Sequence, residues 1–90
     1  MITTDEPGVY VEGEFGIRLE NELLCKKDGE LLAFESITLC PFAKDAVIPE
    51  MMTDEERIWL NRYHKHVYET LSPLLDEKVK RWLYEQTAEI

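Results

Sequence analysis

Ninety residues with 44% apolar and 32% charged side chains make one small globular chain rather than a disordered one, and 19 acidic against 10 basic groups give a net charge of -9. That balance excludes the basic footprint of a nucleic-acid binder and argues against docking on an anionic membrane. No apolar run approaches the ~20 residues that span a bilayer and no charged leader with an apolar core opens the chain, so cytoplasmic residence is the expectation.

Ile2 to Glu6 is a short β-prone run, and Pro7-Gly8 interrupts it because proline removes a backbone donor. Glu6 to Val11 and Phe15 to Glu20 both suit strands, with Glu12-Gly13-Glu14 between them having the length and the glycine of a three-residue hairpin loop. Closing there sets Val9 against Ile17, Val11 against Phe15 and Glu6 against Glu20. The two-residue period then lines Val9, Val11, Phe15, Ile17 and Leu19 on one apolar face and Glu6, Tyr10, Arg18 and Glu20 on the other. Carboxylates directly opposite each other repel. A cation held between them, the nearby Arg18 or a different register would each relieve that repulsion, and hard divalent cations take carboxylate oxygens. Two ligands do not close a metal site, so further ligands would have to come from elsewhere.

Ile17 to Lys26 alternates as one longer half-buried strand, with Glu20 in its middle as a carboxylate in need of a partner. Asp28-Gly29 is the strongest hairpin signal, Leu31 to Leu39 returns as the partner strand, and Pro41 stops it. Phe42 to Met52 lacks a clean period and reads as a connection. Thr53 and Glu56 have the spacing of a reciprocal capping box, which predicts a helix over about 54–70 with Leu60, Tyr63, Val67 and Leu71 on one face. Ser72 as N-cap and Pro73 in the first turn predict a second helix with Leu75, Val79, Trp82 and Leu83 on its buried side, forming a helical hairpin with the first. The fold class is therefore α+β, antiparallel hairpins over 1–41 followed by a helical extension over 42–90.

His64 and His66, two apart on a helix, point in nearly opposite directions and read as exposed or edge-packing residues rather than a metal pair. Cys25 and Cys40 read as buried free thiols. Packing between helices is expected to explain most of Trp59, Tyr63, Tyr68, Trp82 and Tyr84, with a residual exposed apolar patch.

The run Asp5-Glu6-Pro7-Gly8-Val9-Tyr10 followed by Gly16-Ile17-Arg18-Leu19-Glu20-Asn21 resembles the paired motifs near the C-terminal end of the pita-bread metallopeptidases. Phe34-Glu35-Ser36-Ile37-Thr38-Leu39-Cys40-Pro41 resembles the strand and proline that follow in aminopeptidase P, and Thr53-Asp54-Glu55-Glu56, Trp59 to His64 and Leu71 to Leu75 are similar to the extension of its long forms. The resemblance implies that Glu6 and Glu20 are the last two metal ligands of a dinuclear centre, usually manganese, with Glu20 bridging both ions. It implies that Arg18 belongs to the supporting polar network, and that the parent enzyme removes an N-terminal residue preceding proline. The family's upstream aspartates and histidines have no match here, so the chain is expected to be a C-terminal piece, inactive alone, whose partners are the rest of the catalytic domain, proline-containing peptides and a second copy in a homodimer. The competing expectation is a free-standing acidic interaction or dimerisation domain without catalysis.

Overall fold

The computed structural model describes all residues from Met1 to Ile90, which divide into two compact units, Met1–Leu39 and Cys40–Ile90. The first unit holds five strands: β1 (Ile2–Asp5), β2 (Gly8–Val11), β3 (Phe15–Arg18), β4 (Asn21–Asp28) and β5 (Leu31–Ser36). They form a three-stranded sheet in the order β1-β4-β5 and a separate ribbon of β2 and β3, all antiparallel.

The expected register holds. Val9 pairs with Ile17 and Val11 with Phe15, and the intervening turn is closed by the Glu14 N–H donating to the Val11 carbonyl at 3.0 Å. Gly13 turns there with φ of +74°, a value that costs an L side chain strain but costs glycine little. At the second hairpin Asp28 pairs with Leu31, leaving Gly29 and Glu30 as a two-residue turn with Gly29 at φ +63°.

Three expectations about these strands are corrected. The strand expected over Ile17–Lys26 is two strands, because the ladder lapses at Leu19 and Glu20 opposite Glu6 and Pro7. Val9, Phe15, Ile17 and Leu19 share a face by period but are more than half exposed, since nothing within the unit covers the two-stranded ribbon. Strand β5 ends at Ser36 rather than Leu39, although the Ile37 N–H still donates to the Glu22 carbonyl at 2.9 Å.

In the second unit, 3-10 turns at Lys44–Ala46 and Pro49–Met51 lead to helix α1 (Asp54–Leu71). The capping box forms as expected: Glu56 N–H donates to the Thr53 hydroxyl at 3.1 Å, and Thr53 N–H donates to the Glu56 carboxylate at 3.2 Å. Leu60, Tyr63, His64 and Val67 make the buried stripe of α1. Helix α2 (Glu77–Gln86) starts later than expected. Ser72 has helical backbone angles and its N–H still bonds the Tyr68 carbonyl, so it closes α1 and opens a 3-10 turn at Ser72–Leu74. Asp76, extended at ψ 168°, is the N-cap of α2 and accepts the Val79 N–H at 2.9 Å. The buried side of α2 is a single turn, Leu83 and Thr87, with Val79 and Trp82 exposed rather than buried. At the other end of α2 the Lys44 ammonium donates to the Glu85 carbonyl at 2.6 Å, where a cation complements the helix dipole.

His64 is also corrected: it is fully buried. Its Nε2 accepts the Phe42 N–H at 3.1 Å, and the neighbouring Tyr63 hydroxyl donates to the Cys40 carbonyl at 3.2 Å, so the two side chains stitch the segment before the turns onto α1. Burial first, and then the charge of Lys44, hold the His64 pKa below the ordinary 6.5. The fold thus favours the neutral ring. The contribution is fully present above pH 6.5, the unfolded-state value, and is lost as pH falls through the lower folded-state value. Urea midpoints are accordingly expected to fall between pH 7.5 and pH 5 by more in the unaltered chain than in His64→Gln, and equal falls would contradict this.

Candidate metal centre

Strands β1 and β4 pair as far as Asp5 with Asn21, and β2 and β3 begin with Gly8 and Arg18. The two ladders share one numbering, so four residues lie between them in opposed pairs, Glu6 with Glu20 and Pro7 with Leu19. The Leu19 N–H donates to the Pro7 carbonyl at 3.0 Å, which keeps the register across the gap, while Pro7 has no N–H to offer in return. The ladder lapses here because one of its donors is chemically absent. The lapse leaves two carboxylates opposed in a short stretch of irregular backbone, between two ladders that hold it from either end.

Glu20 is not the buried mid-strand carboxylate that the alternation suggests. Its side chain is 39% exposed, and its Oε2 lies 3.1 Å from the Arg18 guanidinium. Such an exposed ion pair contributes little to stability, roughly 0–1 kcal/mol, but it orients the carboxylate. Glu6 is held separately, its Oε2 accepting the Thr4 hydroxyl at 2.9 Å. Tyr10 lies over Gly8 and Gly16: a Cβ on Gly16 would come within 2.6 Å of the ring, and one on Gly8 within 2.7 Å of its hydroxyl. The glycines therefore provide the floor for an aromatic ring on the side of the ribbon that carries Arg18.

Two opposed carboxylates are hard oxygen donors suited to a divalent cation. No group of three or more His, Cys, Asp or Glu side chains stands close enough to hold an ion, so two carboxylates on this chain do not make a closed site. The cysteines add nothing to it: both are free, Cys25 partly buried and Cys40 exposed, where buried thiols were expected. One polar residue of the second motif has a place in the fold that the sequence does not indicate. Asn21 is the one buried residue of the first unit, 8% exposed, and its amide donates to the Ser36 hydroxyl at 2.9 Å. No periodicity marks it, since its neighbours Glu20 and Glu22 are acidic.

Residues 30–90 match the model of a family described as the C-terminal region of peptidase M24. The chain belongs to that family. A probable Xaa-Pro aminopeptidase P from Arthroderma benhamiae is 41% identical over 99 aligned positions, covering 99% of this chain and 14% of that protein. One from Coprinopsis cinerea is 35% identical, covering all of this chain and 16% of that protein. The crystal structure of X-prolyl aminopeptidase from Caenorhabditis elegans, described as a cytosolic enzyme with a di-nuclear active site, superposes with a TM-score of 0.84 at 31% identity, over 99% of this chain and 16% of that one. This M24 C-terminal region therefore spans about one-sixth of the relatives it matches. Its two small antiparallel sheets followed by helices are the C-terminal part of a pita-bread fold, as the motifs implied. No helix is long and apolar enough to cross a membrane.

Proposed function

We propose that this chain supplies the last two carboxylate ligands, Glu6 and Glu20, of a dinuclear metal centre in an Xaa-Pro aminopeptidase. The observation that carries the reading is the opposition of the two glutamates across a lapse in one continuous register, in a chain whose relatives bear that enzyme's name. Glu6 and Glu20 would hold the cations, their carboxylates neutralising the positive charge and fixing its place. Arg18 orders Glu20 through a charge-assisted hydrogen bond, and Thr4 does the same for Glu6. When bound, a pair of divalent cations, manganese in this reading, would make a water nucleophilic near neutral pH and polarise the carbonyl of the bond preceding proline.

Residues 1–41 are then the end of the catalytic domain and residues 42–90 its extension, in a homodimeric cytosolic enzyme that cleaves peptides with proline second. The exposed apolar side chains of β2 and β3 are the surface on which the remainder of the catalytic domain packs, which accounts for a bare ribbon.

Grafting tests the reading. The chain alone with manganese and a peptide carrying proline second is expected to show no turnover, because it holds too few ligands. Substituted for the matching region of the Arthroderma benhamiae relative, it is expected to give an active, metal-dependent enzyme. A folded but inactive graft, or turnover by the isolated chain, would contradict the proposal.

A further inference from the structure

We infer that Asn21 is a positioning residue, which fixes the two carboxylates in place through its bond to Ser36. The inference rests on the metal-centre reading and adds to it a determinant outside the ligand set.

Strand β4 is the central strand of its sheet, and Asn21 is its first residue. Glu20 directly precedes Asn21, and Glu6 directly follows Asp5, the ladder partner of Asn21. Both carboxylates are therefore suspended from the same point. That point sits at the edge of the lapse that Pro7 creates, where a single backbone bond, from the Leu19 N–H to the Pro7 carbonyl, carries the register from one ladder to the other. A slip of one residue would turn a glutamate to the opposite face of the strand.

Strand β5 supplies what the ladder lacks. Ser36 pairs with Leu23, which places it diagonal to Asn21 on one face of the sheet, within reach of a side-chain bond. The Asn21 amide donates to the Ser36 hydroxyl at 2.9 Å. One residue on, the Glu22 N–H donates to the Thr38 hydroxyl at 2.7 Å, and the Glu22 carbonyl accepts from Ile37 at 2.9 Å. Three bonds, one from the last residue of β5 and two from the residues just beyond it, thus converge on the first two residues of β4. An apolar side chain at position 21 would bury as well but would lack direction, whereas a hydrogen bond fixes a single stagger. A buried amide is retained at a cost in desolvation unless its partner is present.

The test compares the unaltered chain with Asn21→Ala, Ser36→Ala, the double variant and Ser36→Thr. Two quantities are read: hydrogen exchange of the Leu19 amide, which bridges the lapse, in metal-free protein, and manganese affinity by calorimetry. Each alanine variant is expected to speed Leu19 exchange about fivefold and to weaken manganese binding about tenfold. The double variant should be no worse than either single one, because one bond is removed in all three. Ser36→Thr, which keeps the hydroxyl and suits a strand, should restore both quantities, an outcome that general loosening of the sheet would not produce. Unchanged Leu19 exchange in the alanine variants, additive losses, or failure of threonine to restore them would overturn the inference. If the unaltered chain takes up no manganese, the metal reading fails for the isolated chain, and the exchange rates and the threonine rescue alone decide the role of Asn21.

Discussion

Glu20→Gln in the grafted enzyme is expected to lower turnover about a thousandfold, the equivalent of roughly 4 kcal/mol of transition-state stabilisation. Glutamine preserves the volume of the side chain and one oxygen but removes the charge that would sit between two cations. The fold should tolerate the change. Glu20 is partly exposed and lies outside both ladders, and an exposed partner such as Arg18 contributes at most about 1 kcal/mol. Replacing one of two opposed carboxylates even relieves repulsion in the metal-free chain, so a small rise in its melting temperature should accompany the loss of activity. A variant that lost activity by unfolding would show the opposite sign. Turnover within a factor of ten of the unaltered graft would show that Glu20 is not a ligand.

Leu83→Ala is expected to leave the helical unit largely unfolded at room temperature. The buried apolar side chains of this unit are Leu60, Tyr63, Val67 and Leu83, and Leu83, 2% exposed, is the one that α2 contributes. Truncating a buried leucine costs about 2–5 kcal/mol. A small unit with so few buried side chains has a margin of about that size. Val79→Ala, on the exposed side of the same helix, serves as the control and should cost less than about 1 kcal/mol. Thermal melts followed by helical circular dichroism separate the two variants. A midpoint for Leu83→Ala within a few degrees of the control would mean that α2 is not held by this core.

Features governed by neighbouring residues were legible in the sequence. The Gly13 and Asp28-Gly29 turns, the pairing of Val9 with Ile17 and the Thr53–Glu56 capping box follow from short-range geometry, and each is present. Where two local signals compete, the sequence pattern misleads. Ser72-Pro73 has the composition of a helix start, but Ser72 is already committed as the end of α1, and Asp76 takes the cap. The alternation through Ile17–Lys26 concealed a lapse imposed from across the hairpin by Pro7, because a missing donor is visible only once the pairing partner is known. His64 was judged by its distance from His66 and not by its place in the stripe with Leu60 and Val67, and that stripe buries it.

Burial on the strands was the least legible property. Period identifies which residues share a face, as it did for Val9, Phe15 and Ile17, but whether the face is covered depends on surfaces that a local pattern does not contain. The site shows the same division. The motif resemblance singles out Glu6, Arg18 and Glu20 as candidates, and the register places the two glutamates opposite each other. Asn21 stands in the same motif, but its bond to Ser36 follows only from the sheet order, which places Ser36 on its diagonal.

The most direct test of the opposed glutamates is amide NMR of the chain at substoichiometric manganese, since a paramagnetic ion broadens the resonances nearest to it. Asp5, Glu6, Leu19 and Glu20 are expected to broaden first, and Glu20→Gln to abolish their preference. Broadening that favours the Glu12–Glu14 turn or the Asp54-Glu55-Glu56 cluster, or that ignores the substitution, would contradict it.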